Sequence, residues 1–347
     1  MSTRALFPIL AVVLAFATCL LPARRPDASV PTGAPHATRV RIGLVFDVGG
    51  RGDKSFNDAA YAGLERARNE LGARVEYVEP TDSDDRVSAL RLFAARGFDL
   101  VIGVGYMFSR DVDSVATDYP HVRFACVDYA PPDTGRVPDN VVGLKFREEE
   151  GAFLVGAAAA LSSRSNIVGF VGGMDIPLIR KFEHGYRAGV HEVCASCTVL
   201  AAYAGSTPGA FRDPARGEAL ATSQFSQGAD VIFHASGSTG HGVFVAAQRL
   251  RRLAIGVDAD QFDEMPEVVL TSMLKRVDVA VFDSIRDIGN GRFLRGPDGT
   301  RVFGVADGGI DYVSTGPHAV HLTASVRARV GELRDRIARG ELHVRPE

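Results

Sequence analysis

The 347-residue sequence predicts an α/β protein in which two doubly wound, parallel-sheet lobes flank a ligand cleft. Three observations carry this. Strand-like apolar runs alternate with amphipathic helical runs from residue 39 onward, the order expected of parallel sheets. The alternation breaks at a stretch rich in Pro, Gly and Asp, residues 131–140, and then restarts, so the chain holds two similar halves. At roughly 150 residues per domain the length allows two domains. A chain with 46% hydrophobic and 23% charged residues is a folded globular one, which excludes disorder, collagen and coiled coil.

Residues 40–46 form a short apolar strand ending at Asp47. Ser55 with Asp58 three residues later reads as a capping box, and Ala60, Leu64, Ala67 and Leu71 follow at helical spacing. Strands continue at 74–78, 99–104 and 122–128, with helices at 88–95 and 112–119 between them. In the second half, Glu148, Glu149 and Glu150 suit the positive end of an alanine-rich helix over 151–161. Strands at 167–171, 199–203, 230–234 and 254–257 then alternate with helices at 178–193, 214–227 and 242–250. The expected organisation is an N-terminal lobe of 39–128 plus 262–296 and a C-terminal lobe of 141–257 plus 303–347. Hinge crossings are expected at 129–140, 258–261 and 297–302.

Residues 1–38 stand apart from this pattern. Arg4 precedes a 17-residue apolar run, 5–21, in the layout of an export signal, and 22–38 reads as a tether rich in Pro, Ala, Thr and Arg. Cys19 is a lipidation candidate; cleavage further on and an uncleaved anchor are the alternatives. Export makes Cys194-x-x-Cys197 a local disulfide or a pair of idle thiols, and Cys126, in a strand, a buried free thiol. A net charge of −3 offers no cationic field for nucleic acid or an anionic membrane surface. Within the basic set only Lys54, Lys145, Lys181 and Lys275 are lysines.

Ligands of open parallel sheets sit beyond the carboxyl ends of strands. Those positions hold Asp47, Gly105-Tyr106, Asp128, the 172–175 segment, Tyr203, Ser236-Gly237 and Asp258. The carboxylates among them have no obvious base or nucleophile beside them, so the site is expected to grip rather than react, and no enzymatic activity, metal or cofactor is expected. A phosphate loop is excluded because Asp53, not Gly, precedes Lys54. No G-x-S-x-G elbow occurs, the Ser236–His241 stretch reads as a glycine-rich turn, and His318 with His321 lacks a third metal ligand.

The segments 46–57, 143–151, 171–177, 182–186, 256–261 and 271–276, taken in order, resemble the basic membrane protein family, nucleoside-binding lipoproteins that serve ABC transporters. The first, Phe46-Asp47-Val48-Gly49-Gly50-Arg51-Gly52-Asp53-Lys54-Ser55-Phe56-Asn57, is the most specific. The resemblance implies a type I periplasmic-binding-protein fold and a purine nucleoside (guanosine, inosine or adenosine) held between aromatic walls, Phe56 and Phe211, with residues 207–210 lengthening the approach to the latter. Asn57 and Asp128 would face the base edge, with Asp47 at the cleft mouth. Asp258, Lys275 and the Gly237 backbone would hold the ribose. The implied partners are an ABC permease and its ATPase, the implied form an exported monomer whose one membrane contact is its N-terminal anchor. A different small ligand on the same fold, or a surface sensor or adhesin, are the alternatives.

Overall fold

The computed structural model describes residues 40–47, 49–81, 83–132 and 135–346. The expected signal, the tether and the Cys19 lipidation site lie outside these residues.

The first lobe opens with β1 (Arg41–Val45), α1 (Phe56–Leu71), β2 (Arg74–Val78), α2 (Ser83–Ala95), β3 (Leu100–Val104), α3 (Ser109–Asp118), β4 (Arg123–Val127) and β5 (Val141–Phe146). The second runs through α4 (Glu148–Ser162), β6 (Ile167–Met174), α5 (Pro177–Val193), β7 (Thr198–Gly205), α6 (Pro214–Ser226), β8 (Val231–Ala235), α7 (Gly240–Leu250), β9 (Leu253–Gly256) and β10 (Val269–Lys275). The chain ends with α8 (Val277–Gly289), β11 (Thr300–Phe303), β12 (Ile310–Tyr312) and α9 (Ala324–Ala338).

Two six-stranded sheets result, ordered β11-β5-β4-β3-β1-β2 and β12-β10-β9-β8-β6-β7. The orders superimpose strand for strand, and pairing is parallel except where β12 runs antiparallel to β10. Central strands such as β3 and β8 are buried along their whole length, as parallel strands covered on both faces must be. Edge strand β2 is largely exposed. The alanine-rich α4 is buried almost end to end and packs on α5. A Cβ at Gly156 would overlap the Tyr186 carbonyl and one at Gly189 the Phe153 carbonyl, so the two backbones touch directly.

Two details of the sequence reading change. All three crossings lie elsewhere: β5 belongs to the first sheet, so 129–140 is a loop within the first lobe and the chain passes over at Arg147. β10, expected with the first lobe, is a strand of the second, so the next crossing is at Arg276 rather than 258–261. The third occupies 304–309 rather than 297–302, and Phe303 closes a strand of the first sheet. The single-residue crossings at Arg147 and Arg276 leave no compositional mark, whereas the Pro-rich loop does.

The capping box also fails. Ser55 is the N-cap residue of α1, yet its hydroxyl makes no capping bond. The Asp53 carboxylate accepts the N–H groups of Ser55, Asn57 and Asp58 instead, at 3.0, 2.9 and 3.1 Å. Charge makes a carboxylate the stronger acceptor at the positive end of a helix.

Candidate functional site

One cleft collects the carboxyl ends of strands from both sheets. All eight residues expected at the site line it: Asp47, Phe56, Asn57, Asp128, Phe211, Gly237, Asp258 and Lys275. Asp47 follows β1, and a Cβ at Gly105 (φ 108°) would overlap its carboxylate, so glycine is needed there for both backbone and space. Asp128 and Asp258 follow β4 and β9, which hold the same place in their sheets, and both have left-handed backbones, φ 60° and 65°. Non-glycine residues in this region are uncommon and concentrate at functional sites.

The two rings come from opposite lobes. Phe56 is the first residue of α1 and Phe211 closes a short helical turn, Pro208–Phe211. Both are half-buried. Phe211 packs so closely on Gly173 that a Cβ there would strike its ring, and its carbonyl accepts the Ser238 hydroxyl at 3.1 Å. The longer approach over residues 207–210 therefore leaves the ring in the cleft.

Lys275 is 2% exposed and ends β10. Its Nζ lies 2.6 and 2.8 Å from the two Asp128 oxygens and 3.1 Å from Glu148 Oε1, while Glu148 Oε2 is 3.3 Å from Lys181. The rings of Phe56, Phe146 and Phe182 face the ammonium with centroids at 5.1, 5.1 and 5.7 Å. Burial works against this charge, but Asp128, Glu148 and Asp258 outweigh it and raise the Lys275 pKa. Burial pushes the Asp128 carboxyl up against the pull of Lys275. Lys275 is thus a structural cation shared by both lobes, held by three carboxylate oxygens.

Asn57 is committed too. Its Oδ1 accepts the Asp47 N–H at 3.2 Å and its Nδ2 donates to Asp53 at 3.1 Å, which leaves one N–H and one lone pair for a ligand. Asp53 lines the cleft and was not among the expected site residues. Burial raises its carboxyl despite the backbone N–H groups it accepts. Phe182 and Ile179 add apolar floor, and Glu148, expected to serve the helix macrodipole, is the second acid of the lysine cluster. The i, i+3 spacing of Ile179 and Phe182 on the helix after a strand was the available signal.

Burial pushes the Asp258 carboxyl up to about 6, against the pull of Lys275 and the Ser55 hydroxyl. A raised folded-state carboxyl binds more protons than its unfolded counterpart between about pH 4 and 6, so this group lowers stability as pH rises through that window, by up to ~3 kcal/mol, and the effect is flat above it. Asp258→Asn is therefore expected to gain stability over the parent as pH goes from 4.5 to 7, read as urea midpoints. A gap between the two proteins that does not widen with pH would refute the assignment.

The histidines near these strand ends have other partners. His241 faces Glu264 at 3.3 Å and is not joined to Ser238. The buried His234, pushed down to about 4 by desolvation, stays neutral between Gln261 and Ser236. His318 pairs with Asp260 at 2.7 Å, and His321 contacts the Pro266 carbonyl. Among the described residues no group of His, Cys, Asp or Glu is arranged to hold a metal, and no helix is long and apolar enough to cross a membrane. Cys194 and Cys197 are disulfide-bonded, and Cys126 is a buried thiol.

Comparison with known proteins gives the same outline. Residues 40–328 match the family model described as Bmp, ABC transporter substrate-binding protein PnrA-like. An uncharacterized lipoprotein of Pyrococcus furiosus is 36% identical over 79% of this chain and 70% of its own length. The ABC transporter nucleoside-binding protein BmpA of Lactococcus lactis is 31% identical over 87% of this chain and 89% of its own. An ABC transporter solute-binding protein from Aeropyrum pernix superimposes with a TM-score of 0.78 at 31% identity, covering 88% of this chain and 92% of that one.

Proposed function

The chain belongs to the PnrA-like family of ABC transporter substrate-binding proteins, and on that premise we propose that it captures a purine nucleoside between its lobes outside the cytoplasm and delivers it to a membrane permease with its ATPase. The observation that carries this reading is the cleft itself. It sets an aromatic ring from each lobe beside four aspartates, and among the described residues lining it the one cation, Lys275, is already paired.

A flat base offers two π faces to Phe56 and Phe211, each stacked face contributing ~1–3 kcal/mol. Asn57 and Asp128 present an amide and a carboxylate to the base edge, with Asp47 beside them. Ribose hydroxyls would donate to Asp258 and accept from Lys275 and the Gly237 N–H, where the backbone turns at φ 56°. An acidic site with no unpaired cation disfavours phosphate. The name of the Lactococcus relative supports the nucleoside class, and the lipoprotein name of the Pyrococcus relative supports an exported, N-terminally anchored protein. The crossings at Arg147, Arg276 and 304–309 are the hinge about which the lobes close.

The test is mass spectrometry of small molecules released from protein purified under native conditions, followed by calorimetry with guanosine, inosine, adenosine, cytidine and the matching 5′-monophosphates. At least one purine nucleoside should bind, with its monophosphate at least tenfold weaker. Absence of binding heat for every nucleoside would overturn the proposal, and release of free base would make the protein an enzyme.

A further inference from the structure

We propose that Ser55 is a positioning residue that reaches from the first lobe to orient the Asp258 carboxylate of the second, so that Asp258 is set for a sugar hydroxyl only when the lobes are together. The sugar part of this inference rests on the nucleoside reading above.

Ser55 is fully buried at the N-cap of α1, where a serine hydroxyl ordinarily accepts a backbone N–H of its own helix. Here Asp53 has taken those N–H groups, three of them, and the serine hydroxyl is released from that role. It turns outward across the lobe boundary instead. Its proton points at Asp258 Oδ2, 2.7 Å away, with the Val257 carbonyl at 3.2 Å as a second acceptor. Beside it, Gln261 Nε2 donates to the Lys54 carbonyl at 3.2 Å, so a second bond from the same loop fixes the same turn. Gln261 is in turn anchored inside the second lobe, through Oε1 to the Val257 N–H and His234 and through its own N–H to Ser272.

Both ends of this junction have left-handed backbones at non-glycine residues, Lys54 at φ 54° and Asp258 at φ 65°. Such backbones persist where the surroundings over-determine them. With Oδ2 held by Ser55, Asp258 has Oδ1 without a hydrogen-bond partner among the described residues, and the residue lines the cleft. The Lys275 ammonium attracts the same carboxylate. When the lobes part, the hydroxyl withdraws and that attraction acts unopposed, so the carboxylate leaves the pose that serves a ligand.

The experiment compares the parent protein with Ser55→Ala, using guanosine or inosine and its 2′,3′-dideoxy analogue as probes. The affinity ratio of nucleoside to dideoxynucleoside should fall at least fivefold in the variant, and Ser55→Thr, which keeps the hydroxyl, should recover it. A second arm needs no ligand: carbon-detected NMR titration of Asp258, whose carboxyl should rise by about half a pH unit or more once the donated bond is gone. If Ser55→Ala does not fold, Ser55→Cys, a similar volume with a weak donor, replaces it in both arms. An unchanged ratio or an unchanged Asp258 titration in the folded variant overturns the inference. If the parent binds no nucleoside, the function reading fails and the titration alone decides this one.

Discussion

Lys275→Met is expected to lower stability by ~3–5 kcal/mol, the usual consequence of removing one partner from a buried charge cluster, and to depress nucleoside binding with it. Methionine keeps the unbranched stem and lacks the terminal ammonium, so the loss is chiefly electrostatic. Asp128 and Glu148 lie 2.6 and 3.1 Å from the ammonium, and without it two adjacent buried carboxylates face each other with only the half-exposed Lys181 beyond Glu148. Because β10 belongs to the second sheet and Asp128 follows a strand of the first, the pair also joins the lobes at the floor of the cleft. In a protein whose total stability is of order 5–15 kcal/mol, such a loss lowers the melting temperature by roughly 5–15 °C. In the parent, the raised lysine pKa contributes stability that is fully present below the unfolded lysine value and is lost only well into the alkaline range. The variant should therefore show its largest deficit at neutral pH and above, and the deficit should narrow on acidification as Asp128 takes up a proton. Calorimetric scans at pH 5 and pH 8 check this; equal deficits at both would mean that Lys275 acts by packing rather than by charge. Lys275→Arg keeps the charge but places a planar fork among three phenylalanine rings, and should weaken binding more than it weakens the fold.

The importance of that cluster could not be read along the chain. Lys275 and Asp128 are 147 residues apart, and nothing local to either says that they meet. What was legible follows from backbone geometry. In a parallel sheet the strand ends converge, so Asp47, Asp128, Gly237 and Asp258 could be placed at the site from strand alternation alone. Phe56 and Phe211 could not, because a phenylalanine near a helix start is equally at home as a packing residue; family resemblance placed them. The crossings were misplaced because a single residue, Arg147 or Arg276, carries the chain between lobes, while the Pro-rich 129–140 loop looks like a linker and stays within one. Ser55 has the spacing of a cap. Asp53, two residues earlier, competes for the same N–H groups and wins by charge, a contest that spacing does not reveal.

Phe56→Ala should reduce purine-nucleoside affinity ten- to a hundredfold, equivalent to ~1–3 kcal/mol for one stacked face, while leaving the fold largely intact. The two effects separate because of where Phe56 sits. It is the first residue of α1, half-buried, and packs on the core from its edge, so truncation opens no sealed cavity and alanine is a good helix former at that place. A stability loss of about 1–2 kcal/mol is the most such a site should show. The ring also lies 5.1 Å from the Lys275 ammonium, which the rings of Phe146 and Phe182 continue to cover in the variant. Phe56→Leu isolates the π face: it restores apolar contact and hence stability, but offers no flat surface to a base. If stacking is what Phe56 supplies, Leu and Ala variants should bind a purine nucleoside about equally weakly by calorimetry while differing in melting temperature. Phe56→Tyr, which keeps the face, should bind within a few-fold of the parent. Affinity that tracks side-chain volume across Ala, Leu and Phe, rather than the presence of a ring, would mean that Phe56 is a packing residue at the cleft edge and that the base is gripped elsewhere.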